Sequence, residues 1–283
     1  MPLVNLNEVL IPAYKGDYAV PGFNFHNFED AKAIIKAAEE LKSPVILMAA
    51  NGCIEHLGLD LSISTIKILA DKATIPVVAH LDHANDMDLI FQAMAKGYTS
   101  VMYDGSSLPL EENIKNTALV VRIARALGVN VEAEIGKVGK SEEGEDIEEI
   151  LTDPKIAKRF LEETKVDALA VAVGTTHAMQ KQEAKIHFDL VEELSRTLDI
   201  PLVLHGSSGV KDEDLQRIVK TKFSKVNIGT RLKTVFVQKI REILNNDQNL
   251  KDQIKLFELA ESAVIETVKE KIILLGSDNR VNV

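Results

Sequence analysis

An eightfold rhythm restricts this chain more than any single motif does. Short runs rich in aliphatic and β-branched residues, at 18–25, 44–49, 74–83, 98–103, 129–135, 168–173, 201–204 and 223–228, read as strands, and amphipathic stretches separate them. Ala31, Ile34, Ile35 and Ala38 fall at i, i+3, i+4 and i+7 behind Asn27, a residue suited to capping a helix. Further helices are expected over residues 7–14, 63–73, 87–96, 110–127, 154–163 and 188–196, with one at 256–271 beyond the eighth unit.

Strands that are apolar almost throughout must be covered on both faces, and a parallel sheet flanked by helices does this. Eight βα units therefore predict an α/β chain folded as a (β/α)8 TIM barrel with extra N- and C-terminal helices, in a single domain over residues 1–283. A doubly wound open sheet is the competing arrangement. It would carry a glycine-rich first βα turn, and the turn after Phe25 has none. The 46% of hydrophobic residues supplies a large core.

A formal charge of -10 argues against general affinity for nucleic acid or an acidic membrane surface. Cys53 is the single cysteine, so no intramolecular disulfide forms, and no run of apolar residues is long enough to span a bilayer. The N-terminus lacks a basic, apolar leader. These features together predict a cytoplasmic protein.

Polar residues gather where the strands end. Asp82 and His83 end the third, Asp104 follows the fourth, Glu132 and Glu134 lie on the fifth, His177 follows the sixth and His205 the seventh. In a barrel these ends share one mouth, where active sites are built. Three imidazoles brought together suit zinc, which they hold with a fourth position open. Asp104 and Glu134 add oxygen donors for a second or alternative metal position. Asp82, beside a ligand, is placed to exchange a proton or to orient an imidazole. His80 is expected to pack away from His83, with His26, His56 and His187 structural, His56 in a loop and His187 at a helix start.

Two turns suit phosphate: His205-Gly-Ser-Ser-Gly-Val210 after the seventh strand and Val226-Asn-Ile-Gly-Thr-Arg231 after the eighth. Backbone N–H groups and a helix N-terminus converge at such positions in barrels. Lys181, four residues after His177, is a candidate for added charge. The acidic loop 139–149 is too charged for a core and reads as a lid. Zinc on the carbonyl of a phosphorylated ketone acidifies the neighbouring C–H and holds the resulting enediolate, which is aldol chemistry.

The stretches Val20-Pro-Gly-Phe-Asn-Phe-His-Asn27, His80-Leu-Asp-His83, Ser100-Val-Met-Tyr-Asp-Gly-Ser106, Val131-Glu-Ala-Glu-Ile-Gly136, Ala170-Val-Ala-Val-Gly-Thr-Thr-His177, Leu202-Val-Leu-His-Gly206, Lys225-Val-Asn-Ile228 and Gly276-Ser-Asp-Asn-Arg-Val281 carry a resemblance over nearly the whole chain. It resembles the class II, zinc-dependent ketose-bisphosphate aldolases, and looks closer to the tagatose-bisphosphate than to most fructose-bisphosphate members. The resemblance implies that His83, His177 and His205 hold catalytic Zn2+, with Asp104 and Glu134 at an alternative divalent site and a monovalent cation nearby. It implies Asp82 as the acid/base at the C4 hydroxyl and Glu142 in the lid as the base acting on dihydroxyacetone phosphate. Asn24, Ala178, Lys181, Gly206, Ser207, Ser208, Asn227, Ile228, Gly229 and Thr230 would contact substrate, and the protein would be a homodimer or homotetramer.

Three positions depart from the family pattern: Ala178 where glycine is usual, Gly229 where a carboxylate is common, and 249–255 where an Asp-Pro-Arg segment is common. They leave tagatose and fructose both open. A metal-dependent sugar-phosphate isomerase or epimerase would use the same carbonyl activation, and a non-catalytic barrel subunit is the reading outside enzymology. A lysine-based aldol mechanism needs a lysine at a strand end, and none of the eight runs clearly finishes in one.

Overall fold

The structure, a computed structural model, describes residues 3–142, 145–147, 149–179 and 181–281. Its first half runs α1 (Leu6–Lys15), β1 (Val20–Asn24), α2 (Phe28–Glu40), β2 (Val45–Ala49), α3 (Asn51–Lys72), β3 (Val77–Ala84), α4 (Met87–Lys96), β4 (Ser100–Tyr103), α5 (Leu110–Leu127) and β5 (Asn130–Ile135). Two short strands, β6 (Gly139–Glu142) and β7 (Glu145–Ile147), precede α6 (Pro154–Thr164), β8 (Ala168–Val171), β9 (Thr176–His177) and α7 (Phe188–Thr197). The chain ends with β10 (Leu202–Leu204), a 3-10 turn at Ser207–Gly209, α8 (Asp212–Ile218), β11 (Phe223–Ile228), α9 (Thr230–Asn246) and α10 (Gln253–Leu274). Eight parallel strands close in the order β1-β11-β10-β8-β5-β4-β3-β2, the TIM barrel that the alternation predicts.

Alternation along each strand sorts the core into two parts. Val45, Leu47 and Ala49 of β2 face the surrounding helices, while Ile46 and Met48 face the barrel interior. Ile46, Val78, Ala168, Ala170 and Val203 fill the interior together with Leu6, Val9, Leu10 and Ala13 of α1, which plugs it from below. Above that apolar floor the inward positions turn polar: His80 and Asp82 on β3, Glu132 and Glu134 on β5, Lys225 and Asn227 on β11, all buried. The upper half of the barrel is where burial alone does not explain the sequence.

Two elements differ from the sequence reading. Helix α3 begins at Asn51, twelve residues before the expected start, because Gly58 (φ 74) joins two helical pieces across a kink that breaks the apolar period. His56 thus lies on a helix and is exposed, not in a loop. The acidic loop also acquires order of its own: β7, β6 and β9 form a small sheet, with Lys140 in register with His177.

Candidate active site

A regular β3 would send His83 away from Asp82. Instead the β3–β4 register shifts between Leu81 and Ala84, and His83 adopts φ 51, the left-handed region. One extra residue on the strand is a bulge, and bulges re-aim side chains. Its effect here is to swing the His83 ring over the barrel mouth, where Nδ1 lies 2.9 Å from Asp104 Oδ2. Left-handed backbone at a non-glycine residue is strain of the kind that collects at functional sites.

His177 arrives from another direction, on β9, and His205 follows β10. Gly206 fastens the two together: at φ 66 its backbone lies so close to Thr176 that a Cβ would stand 2.8 Å from the Thr176 carbonyl carbon. Ring centroids are 5.1 Å apart for His83 and His177, 4.5 Å for His83 and His205, and 5.8 Å for His177 and His205. One ligating nitrogen from each falls within 4.8 Å of the others, and the same spacing holds for His83, Asp104 and Glu134.

The charges fit a cation. Burial and the neighbouring His83 and His205 push His177 down to about 3, so its ring is neutral and one of its nitrogens offers a lone pair. Burial opposes charge on His83 too, but Asp82, Asp104 and Glu134 outweigh it and raise that ring to about 10. Three imidazoles ringed by carboxylates are a donor set that suits a divalent ion: His83, His177 and His205 could hold it, with Asp104 against His83 and Glu134 against His205. His205 has Glu134 Oε2 3.0 Å from Nδ1 and Glu132 Oε1 3.0 Å from Nε2.

Below the rim lies a sealed polar layer. Lys225 Nζ donates to Glu132 Oε2 at 2.6 Å and lies 3.5 Å from His80 Nε2, and His80 Nδ1 meets Ser100 Oγ at 2.8 Å. Burial works against the Glu132 anion, yet Lys225 and the two histidines hold its carboxyl well below the usual carboxylate range. His80, pushed down to about 3 by burial and Lys225, stays neutral. Glu132 is one of the strand-end acids expected from the sequence, whereas Lys225 is not among the expected site residues. Alternation along β11, which turns Lys225 and Asn227 inward between Val226 and Ile228, is the signal that identifies it.

Asp82 stands between these layers. Asn24 Nδ2 donates to its Oδ2 at 2.8 Å and Asn227 Nδ2 to its Oδ1 at 3.2 Å, fixing the carboxylate plane. Burial acts to raise its pKa, but His83, Lys225, His80 and His205 prevail and set it at about 2, so it is an anion at neutral pH. It opens on a cavity of about 550 Å³ that also receives His83, His177, Ala178, Gly206, Ser207, Ser208, Asn227, Ile228, Gly229 and Thr230. A Cβ at Gly229 would meet Asn24 Oδ1 at 2.7 Å, so glycine there lets the turn after β11 close on β1.

Ala178 takes φ 62, a left-handed backbone that glycine adopts without strain. Lys181 is exposed and is not part of the cavity wall. Glu142 lies on the β6 backbone, and its side chain is outside the described residues. No helix of the described residues is long and apolar enough to cross a membrane.

Residues 4–280 match the family of class-II fructose-bisphosphate aldolases. The chain is 38% identical to a fructose-bisphosphate aldolase of Helicobacter pylori, over 99% of this chain and all of that one. It is 36% identical to the sulfofructosephosphate aldolase of Alkalicoccus urumqiensis, covering 99% of each. The crystal structure of the YdjI aldolase from Escherichia coli K12 superposes with a TM-score of 0.88 at 34% identity, over 99% of this chain and 100% of that one.

Proposed function

The chain belongs to the class-II fructose-bisphosphate aldolase family, and from that premise we propose that it cleaves a ketose 1,6-bisphosphate, tagatose or fructose, to dihydroxyacetone phosphate and glyceraldehyde 3-phosphate with Zn2+. The observation that carries this reading is the convergence of His83, His177 and the buried His205 beside an ionised Asp82, with Asp82, His83 and His177 lining one cavity. Zinc in that triad supplies a Lewis acid for the substrate carbonyl.

The protein's own groups do the rest. Asp82, held by Asn24 and Asn227, accepts the C4 hydroxyl proton as the C3–C4 bond breaks, and the electron pair of that bond passes to the three-carbon ketone half. Glu142 exchanges the proton at C3: it removes one from dihydroxyacetone phosphate in condensation and returns it in cleavage. Backbone pairing of β6 with β9 supports this assignment, since it ties the lid to the strand bearing His177. The turns Gly206–Ser208 and Asn227–Thr230 bind the C1 phosphate through their N–H groups. Asp104 and Glu134, with His83, form the second metal position. The protein works in the cytoplasm as a homodimer or homotetramer.

Cleavage of fructose and tagatose 1,6-bisphosphates, their monophosphates and a 6-sulfo analogue, with and without a chelator, tests the reading. The sulfo compound belongs in the panel because of the Alkalicoccus relative. Zinc-restored, chelator-sensitive cleavage of a bisphosphate is expected. Isomerisation or epimerisation without carbon–carbon cleavage overturns it.

A further inference from the structure

Two arms of the cavity wall are built on different strands, and Asp82 accepts a hydrogen bond from each side, from Asn227 of β11 and from Asn24 of β1. The first arm is formed by the turns at the ends of β10 and β11. The second lies at the ends of β1 and β2, with Phe25, His26, Ala50, Gly52 and Cys53 in the wall. On the functional reading above, the C1 phosphate fills the first arm and Asp82 meets the C4 hydroxyl. The carbons beyond the cleaved bond therefore extend into the second arm.

Few groups in that arm can recognise anything. Phe25, Ala50 and Gly52 bring no polar side chain, and burial together with Asp30 pushes the Cys53 thiol up to about 12, leaving it neutral. His26 remains. Its side chain is 40% exposed, while Asp30 behind it is 3% exposed, with Asp30 Oδ2 lying 3.4 Å from the ring Nδ1 and accepting the His26 backbone N–H at 3.2 Å. Among the described residues His26 is the only ion-pairing partner of Asp30. The carboxylate occupies the Nδ1 side of the ring, which leaves Nε2 for the cavity. With its Nδ1 side turned to Asp30, the ring presents a single N–H-bearing edge to the cavity, a donor suited to an oxyanion.

We infer that His26, held in place by Asp30, is the specificity-determining residue for the aldehyde half of the substrate, recognising a terminal oxyanion on it. Phosphate and sulfonate share that chemistry.

The test is condensation of dihydroxyacetone phosphate with three acceptors: glyceraldehyde 3-phosphate, the corresponding three-carbon aldehyde sulfonate, and unphosphorylated glyceraldehyde. Wild type, His26→Ala and Asp30→Asn are compared by kcat/KM. In His26→Ala the preference for a charged over the uncharged acceptor should fall on the order of 10- to 100-fold, the worth of one charge-assisted hydrogen bond. Asp30→Asn, acting through the ring, should lower it several-fold through KM. Whichever charged acceptor loses more in His26→Ala identifies the natural oxyanion. A preference that does not move, or an equal loss on all three acceptors, overturns the assignment. A wild-type protein that joins none of them overturns the functional reading, and this inference with it.

Discussion

Lys225, Glu132, His80 and Ser100 in the barrel interior, and His83, His177 and His205 at its mouth, are built from similar residue types to opposite ends. In the interior layer charges are matched inside the protein: Lys225 meets Glu132, and His80 meets Ser100. At the mouth the three imidazoles face one another, and His83 and His177 line the cavity. Burying ionic groups is costly unless they are paired, so the lower layer is a self-contained polar core. Three imidazoles gathered within ligating distance of one another, with carboxylates around them, call for a cation from outside. His205 belongs to both layers, with one ring nitrogen toward Glu132 and the other toward Glu134.

Substitutions in the two layers should therefore fail differently. His177→Ala should abolish metal-dependent cleavage and lose the bound ion, measured by metal content after gel filtration. His80→Gln should keep the ion, with a stability loss of about 1–3 kcal/mol for the disturbed buried hydrogen bonds. Loss of metal in both variants would erase the distinction. Asp82→Asn should retain the ion and lower kcat by roughly 10²- to 10⁴-fold, the span of a general acid–base group.

Lys225→Met probes the interior layer at the only ion pair that Glu132 makes with a lysine among the described residues. It leaves the buried Glu132 anion without its lysine, with His205 as its remaining hydrogen-bond partner, and chemical denaturation should show a loss of about 3–5 kcal/mol. Pairing it with Glu132→Gln should recover most of that. Ala178→Gly is the finest comparison: it relieves left-handed strain beside His177, against the greater chain entropy of glycine, for a gain of about 0.5–1 kcal/mol in unfolding free energy.

Much of this architecture is legible in the chain because burial on two faces writes a plain pattern. The eight strands and the bounds of α4 and α5 follow from it directly. The early start of α3 does not, since residues 51–61 lack a continuous apolar stripe and Gly58 interrupts the helix. The strand-end residues were visible as polar exceptions in apolar runs. What no periodicity foretells is the bulge that aims His83, because it depends on the pairing of β3 with β4. Lys225 hides for a related reason: a lysine within a strand reads as surface until closure of the barrel turns it inward. Lys181 shows the converse, where proximity in sequence to His177 does not bring a side chain to the cavity.

A crystal of the zinc-loaded protein, measured at the zinc absorption edge, locates the ion without reference to activity. The account predicts an anomalous peak within bonding distance of ring nitrogens from His83, His177 and His205, together with a metal-free protein that no longer cleaves substrate. A peak elsewhere, or full cleavage by protein stripped of metal, contradicts it.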